Sequence, residues 1–348
     1  MTSWNPTDAD IGSLIDRCAL PYAGGTLTAV ARGSMGKVWR LDLVGPTVLD
    51  TGIPGHRLMI KEFFWGADQD AERNAQLEAE FCRRAARAGV ILTQGVPARD
   101  GTYVQTVPTA TGEVIIRVNT WAGGRHVRSI DAGRAEYLGN TLGTLHALRH
   151  PTMSQPDPYF TTPPAADAWS ALLDRVAATT ERIPDLAAIL ARRLPNLLAL
   201  VRQVDTGPQP DLIFSHRDVK PENVLRDEAT GVATLIDWDE AGPISPSREL
   251  ASQLCVWHVH DGTVDREAIR RTMESYRTAG GYGTVDSMAT FSLRLANDLN
   301  YIHDEVLAAL DLDLPEDMRS YARSEAERFI IDAPSLRTLE SIMEAAAG

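Results

Sequence analysis

The stretch Phe214–Trp238, FSHRDVKPENVLRDEATGVATLIDW, decides how the rest of this 348-residue chain is read. It contains His216-Arg217-Asp218, then Asn223 five residues after that aspartate, then Ile236-Asp237-Trp238 at the end of an apolar strand. Asn223–Arg226 and Val232–Trp238 read as the arms of a hairpin around the turn-forming residues Asp227-Glu228-Ala229-Thr230-Gly231. An aspartate on a tight loop, with an asparagine one turn later, sets a proton acceptor beside an oxygen ligand. The returning arm of the hairpin then delivers a second carboxylate, Asp237. Phosphoryl transfer asks for that set: a carboxylate to orient and deprotonate an attacking hydroxyl, and oxygen ligands for magnesium on nucleotide phosphates.

Outward from this segment, the chain changes character once. Thr28–Leu43 reads as two strands around the turn Arg32–Lys37, Val48–Gly55 as a long loop, and Arg57–Phe64 as a strong strand. Ala71–Ala88, free of Gly and Pro and with Leu77, Phe81 and Ala85 on one stripe, reads as a helix stopped at Gly89. Tyr103–Val107 and Glu113–Trp121 read as an antiparallel pair, broken by Ala122-Gly123-Gly124. Helices follow at Ala132–Leu148, Ala165–Thr179 and Asp185–Val204, with a proline-rich loop over His150–Pro164, a short strand at Asp211–Ser215 and mostly helix from Ser247 on. The expected division is therefore residues 1–117, a hinge at 118–124, and a helical 125–348.

Composition bounds the rest. Apolar content of 44% and charged content of 23% are those of an ordinary globular protein. The absence of a long apolar run argues against a transmembrane helix, and the polar start Met1–Ile11, with Asp8 and Asp10, lacks the order of a secretory signal. Three scattered cysteines, Cys18, Cys82 and Cys255, build neither a disulfide framework nor a zinc site, so a cytoplasmic location is expected. With 34 basic against 47 acidic residues the net charge is −13, which argues against nucleic acid as a partner and suits a cationic small molecule.

The segment Phe214–Trp238 resembles the Brenner-type motif of the aminoglycoside phosphotransferase and choline kinase-like family, usually His-Gly-Asp, then Asn, then Ile-Asp-Trp or Ile-Asp-Phe. The resemblance runs from about Ala29 to Ala251. It implies an α+β, two-lobed protein-kinase-like fold, with a β-rich N-lobe carrying one main helix and a larger helical C-lobe. It implies Asp218 as catalytic base, Asn223 and Asp237 as magnesium ligands, and His216 as a structural residue. Two positions depart from the family pattern: Arg217 stands where Gly is usual, and Lys220 follows the base as in Ser/Thr protein kinases, where that lysine reaches the transferred phosphate. Lys220 is thus a candidate for stabilising transition-state charge. A protein kinase is disfavoured, because only eleven residues separate Asp237 from Glu249 and no Ala-Pro-Glu anchor follows. Glu249 stands instead where the small-molecule kinases place an aspartate that anchors the catalytic loop.

For the nucleotide, the resemblance implies Lys61, within Leu58-Met59-Ile60-Lys61-Glu62-Phe63-Phe64, as the lysine on the α- and β-phosphates of ATP. A charge in so apolar a strand needs a partner; Glu78 or Glu80 can supply it, and the helix register favours Glu78. Gly33-Ser34-Met35-Gly36 with Val38 resembles a degenerate phosphate loop, and the backbone near Val118–Trp121 is expected to meet the adenine edge. Acceptor contacts are expected from Asp239 and Glu240, from Asp298 and Glu305 on one face of a late helix, and from Trp257 with His258, His260 and Asp261. His146 is expected in the core. The implied activity is an ATP- and magnesium-dependent O-phosphotransferase for a small hydroxyl acceptor such as an aminoglycoside or amino sugar. A metabolic sugar or choline-type kinase is the alternative, and a nucleotide-binding pseudokinase a third reading, disfavoured because Lys61, Asp218, Asn223 and Asp237 are all present.

Overall fold

The computed structural model describes residues 4, 6–20, 22, 24–32, 36–45, 56–64, 70–109, 112–128, 131–152, 154–179, 183–209 and 211–348. Gly33 and Ser34 of the expected phosphate loop lie outside them. In chain order the first elements are α1 (Asp8–Arg17), β1 (Gly24–Arg32), β2 (Gly36–Val44), β3 (Arg57–Phe63), α2 (Ala71–Arg87), β4 (Val104–Thr109), β5 (Gly112–Thr120) and β6 (Arg125–His126). Next come α3 (Arg134–Ala147), α4 (Ala166–Ala177), α5 (Pro184–Val201), β7 (Ile213–Ser215), β8 (Val224–Arg226) and β9 (Ala233–Leu235). The last are β10 (Gly242–Ile244), α6 (Pro246–His258), the short pair β11 (Val259–His260) and β12 (Thr263–Val264), α7 (Arg266–Thr278), α8 (Ser292–Leu310), α9 (Glu316–Asp332) and α10 (Leu336–Ala347). No helix among the described residues is long and apolar enough to cross a membrane.

The chain forms two compact units: Met1–Val127 with Glu222–Glu240, and Arg128–Pro221 with Ala241–Gly348. The expected division at 118–124 differs from this for a physical reason. Val118, Asn119 and Thr120 are still strand residues, paired in β5 with Ile60, Met59 and Leu58 of β3. Beyond them, β6 pairs with β8 and Leu92 bridges Leu235, so the β8–β9 hairpin belongs by contact to the first unit.

The first unit is built on a five-stranded antiparallel sheet in the order β1-β2-β3-β5-β4. Period-two alternation along β3 and β5 divides its faces. Leu58, Ile60, Ile116 and Val118 join Ile11, Leu14 and Ile15 of α1 in one buried cluster, while Lys61 and Arg117 face the other way, Arg117 meeting Glu78 of α2. Glu62 shares the apolar face and is buried, its carboxylate accepting the Trp4 backbone N–H at 3.2 Å and the Trp39 indole N–H at 3.1 Å. Helix α1 has no counterpart among the expected elements, although its start is a capping box: Thr7 accepts from the Asp10 amide while the Asp10 carboxylate takes the Thr7 amide.

The second unit is helical. Its tightest packing brings α3 onto α7, where Gly139 and Gly143 present bare backbone one turn apart. A Cβ at Gly139 would stand 2.2 Å from the Thr272 carbonyl oxygen, and one at Gly143 2.5 Å from that of Tyr276. Only glycine permits this approach. Helix α5 starts with Pro184 in its first turn and α4 spans Ala166–Ala177, close to the expected helices, whereas β10, paired antiparallel with β7, is an addition to them.

Candidate active site

In the first unit, a row of alternating charges crosses the α2 face of the sheet. Lys61 is directly opposite Arg117 in the β3–β5 register. Two like charges in that position repel, and carboxylates separate and flank them. Asp239 ion-pairs with Lys61 and accepts from Arg117 Nη1 at 3.1 Å; Asp237 accepts from Lys61 Nζ at 2.8 Å; Glu78 accepts from Arg117 Nη2 at 2.5 Å. The order is Glu78, Arg117, Asp239, Lys61, Asp237. The expected Lys61–Glu78 pair is therefore not formed. Arg117 takes up Glu78 instead, while Lys61 pairs with Asp237 and Asp239. Burial pushes the Glu78 carboxyl up to about 7, with the Arg117 charge pulling against it, and the two carboxylates on Lys61 raise its pKa against the cost of burial. Arg117 is absent from the expected site, although the signal used for Lys61, one cation inside an apolar strand (Val114-Ile115-Ile116-Arg117-Val118), is present there too.

Asn223 is buried and precedes β8 directly; its backbone carbonyl accepts the Ile236 amide at 2.9 Å, which sets Asn223 beside the segment carrying Asp237. Asp237 has φ of 61°, a left-handed conformation that aspartate tolerates better than most residues. The two side chains offer an amide oxygen and a carboxylate, the hard donors that suit magnesium. Among the described residues no cluster of three or more His, Cys, Asp or Glu could hold a metal ion. Phe81 of α2 packs edge-on to Trp238 at 6.0 Å between centroids, and Arg40 stands 5.8 Å from the Trp121 ring. Val38 is partly buried in β2, opposite Lys61.

In the second unit, the loop carrying Asp218 is held from α6. Glu249, Gln253 and Trp257, spaced four apart, lie along one face of that helix. The Arg217 amide donates to Glu249 at 2.7 Å, Gln253 donates to the Arg217 carbonyl at 3.3 Å, and the Trp257 indole donates to the Val219 carbonyl at 2.6 Å. Peptide groups on both sides of Asp218 are thus fixed. Glu249, fully buried, accepts in addition from His146 at 2.9 Å, and that hydrogen bond with the His146 charge draws its pKa below the usual glutamate value despite burial. His146 is in the core as expected and meets Tyr276 Oη at 2.7 Å, while buried His216 accepts the Asp218 amide at 3.2 Å. Lys220 Nζ is 2.7 Å from Asp218 Oδ2.

Arg217, where the family usually has Gly, has φ of 66°, and its guanidinium lies 4.5 Å over the Phe160 ring and against Gly242. That backbone conformation is the one glycine adopts freely.

The expected acceptor residues divide. Asp298 is 5% exposed and ion-paired with Arg294, so it shares no solvated face with Glu305. Glu305 is half-buried, and burial raises its pKa against a hydrogen bond from Tyr301. Asp239 is taken up by Lys61 and Arg117, and Glu240 is partly buried in the same segment. Trp257 serves the Asp218 loop, and His258 is buried on Thr272 Oγ1 at 2.8 Å, so neither is open to a ligand.

Solved structures of small-molecule kinases share the fold. A spectinomycin phosphotransferase in complex with ADP and spectinomycin aligns over 98% of this chain and 99% of its own, with TM-score 0.61 and 14% identity. A microcompartment-associated aminopropanol kinase aligns over 96% and 98%, with TM-score 0.57 and 16% identity. An amicoumacin kinase in complex with AMP-PNP and Ca2+ aligns over 88% and 89%, with TM-score 0.53 and 16% identity. The fold is thus the protein-kinase-like α+β fold of small-molecule phosphotransferases. Residues 61–286 match the profile of the APH phosphotransferase enzyme family, and the chain belongs to that family. No curated protein sequence matches it significantly. The protein is accordingly a phosphotransferase enzyme with a small-molecule acceptor.

Proposed function

We propose that this enzyme is an ATP- and magnesium-dependent O-phosphotransferase for a hydroxyl of a small polar, cationic acceptor, such as an aminoglycoside or amino sugar. The observation that carries the reading is the 2.8 Å ion pair of Lys61 with Asp237, which brings the lysine of a central strand to the carboxylate that follows β9. Lys61 holds the α- and β-phosphates; Gly33, Ser34 and Val38 cover the nucleotide, and Trp121 lies near the adenine. Asn223 and Asp237 would hold magnesium, which when bound neutralises phosphate charge. Asp218 orients the acceptor hydroxyl and takes its proton as the oxygen bonds to the γ-phosphorus. The bond from that phosphorus to the β–γ bridging oxygen breaks, and ADP leaves with the electron pair. Lys220, beside Asp218, offsets the negative charge of the transferring group. Glu240 and Glu305 are the remaining candidates for acceptor carboxylates.

The acceptor class rests on the net charge of −13 and on the amino-alcohol character of the compounds after which the structural neighbours are named. A screen of ADP release across aminoglycosides, amino alcohols, hexosamines, hexoses and choline tests it. Turnover with amino-bearing acceptors is expected; turnover confined to neutral hexoses would reject the cationic class.

A further inference from the structure

The five-membered charge row has three members, Glu78, Arg117 and Asp239, to which the proposed chemistry assigns no part. Lys61 is the nucleotide lysine in that reading, yet the helix carboxylate Glu78 reaches Arg117 instead, at 2.5 Å. Arg117 passes the contact on to Asp239 at 3.1 Å, and Asp239 in turn pairs with Lys61. Glu78, Arg117 and Lys61 are well shielded, with side-chain exposures of 8%, 10% and 14%, whereas Asp239 is 26% and Asp237 43% exposed. Lys61 and Arg117 face each other across the β3–β5 ladder, so Asp239 is the anion that lets two cations occupy adjacent positions. With Asp237 given over to metal ligation, Asp239 is the carboxylate that remains on Lys61.

We propose that Arg117 and Asp239 are positioning residues for phosphoryl transfer, coupling α2 to the nucleotide lysine through the relay Glu78–Arg117–Asp239–Lys61. The inference rests on the reading of Lys61 as the nucleotide lysine. The relay does the work that a direct helix-to-lysine pair would otherwise do. It also makes Lys61 depend on a residue two positions beyond the metal-binding aspartate.

Calorimetric titration of the full chain with magnesium AMP-PNP tests this without any acceptor. Asp239→Asn and Arg117→Met are each expected to weaken binding about tenfold, the scale of one lost charge-assisted hydrogen bond, and to approach Lys61→Met. Because the three act in series, Asp239→Asn/Arg117→Met should bind no more weakly than the worse single variant. Arg117→Lys, which keeps the charge, should recover part of the loss, as a purely structural role would not require. If Arg117→Met does not fold, Glu78→Gln reads the relay from its far end and should also weaken binding. Wild-type affinity in Asp239→Asn while Lys61→Met binds poorly, or additive losses in the double variant, would overturn the relay. Failure of the wild-type chain or indifference of binding to Lys61→Met would instead strike the nucleotide reading beneath it.

Discussion

Asp218 is held in place by the peptide groups on either side of it. The Arg217 and Val219 peptides are tied to Glu249, Gln253 and Trp257. Removing the indole donor with Trp257→Phe leaves a buried carbonyl unpaired, a cost of about 1–3 kcal/mol. It should lower kcat about tenfold or more while KM for ATP stays constant, as steady-state kinetics would show. Arg217 is different. Its φ of 66° costs a non-glycine residue on the order of 1 kcal/mol, which the stacking over Phe160 offsets at a similar scale. Arg217→Gly is therefore expected to retain activity and shift thermal stability by less than about 1 kcal/mol. A loss of turnover beyond tenfold would give the guanidinium a direct part in the reaction. At this scale Asp218, Asn223 and Asp237 are candidates read from the motif, and Lys61 is a candidate read from its apolar strand. The link from Glu78 through Arg117 to Asp239 is not legible there. It depends on which residues face each other across β3 and β5, and strand register is a tertiary property.

Among the elements, the pairing of α3 with α7 is sensitive to side-chain volume. Gly139→Val would drive a branched side chain into the Thr272 carbonyl oxygen, which lies only 2.2 Å from where the first side-chain carbon would stand, and is expected to cost about 2–3 kcal/mol. A drop in the midpoint of thermal unfolding checks it, and Gly139→Ala should fall short of that loss. Helix α1 is held by its cap as well as by its buried face. Thr7→Ala should destabilise by about 1 kcal/mol, read by chemical denaturation, with no change in kinetic constants. The sequence carries the signal for α1, in Thr7, Asp10, Ile11, Leu14 and Ile15, but a short polar N-terminus masks a helix that is stabilised mainly by packing on the sheet. The helices of the second unit and the strands β3 to β5 are legible from periodicity. Residues 118–120 read both as the end of the strand Glu113–Trp121 and as the start of a hinge, because the Gly pair that follows marks a break without fixing where the strand stops.

For the molecule as a whole, acid sensitivity has an identifiable contributor. Burial, with the Arg134 charge adding to it, pushes His258 down to about 3 from an ordinary 6.5. The unfolded chain therefore binds a proton that the folded chain refuses between these values, so stability is intact above about pH 6.5 and falls as the pH drops toward 3. His258→Asn, which keeps a donor for Thr272, should flatten the fall in unfolding midpoint between pH 6.5 and 4; a curve parallel to that of the wild type would remove His258 from the account. Glu78 works in the opposite direction, since a carboxyl raised to about 7 favours the folded state as the pH falls toward 4.5.

In the proposed function, Asp218 activates an acceptor hydroxyl while Lys61, Asn223 and Asp237 serve the nucleotide and its metal. The most direct test of that proposal is ADP release with the best acceptor of the screen, measured in parallel with magnesium AMP-PNP binding, for wild type and Asp218→Ala. The account predicts that the variant loses turnover by three orders of magnitude or so, on the order of a general base's full contribution, and binds the nucleotide as the wild type does. Turnover within tenfold of wild type in Asp218→Ala would contradict it.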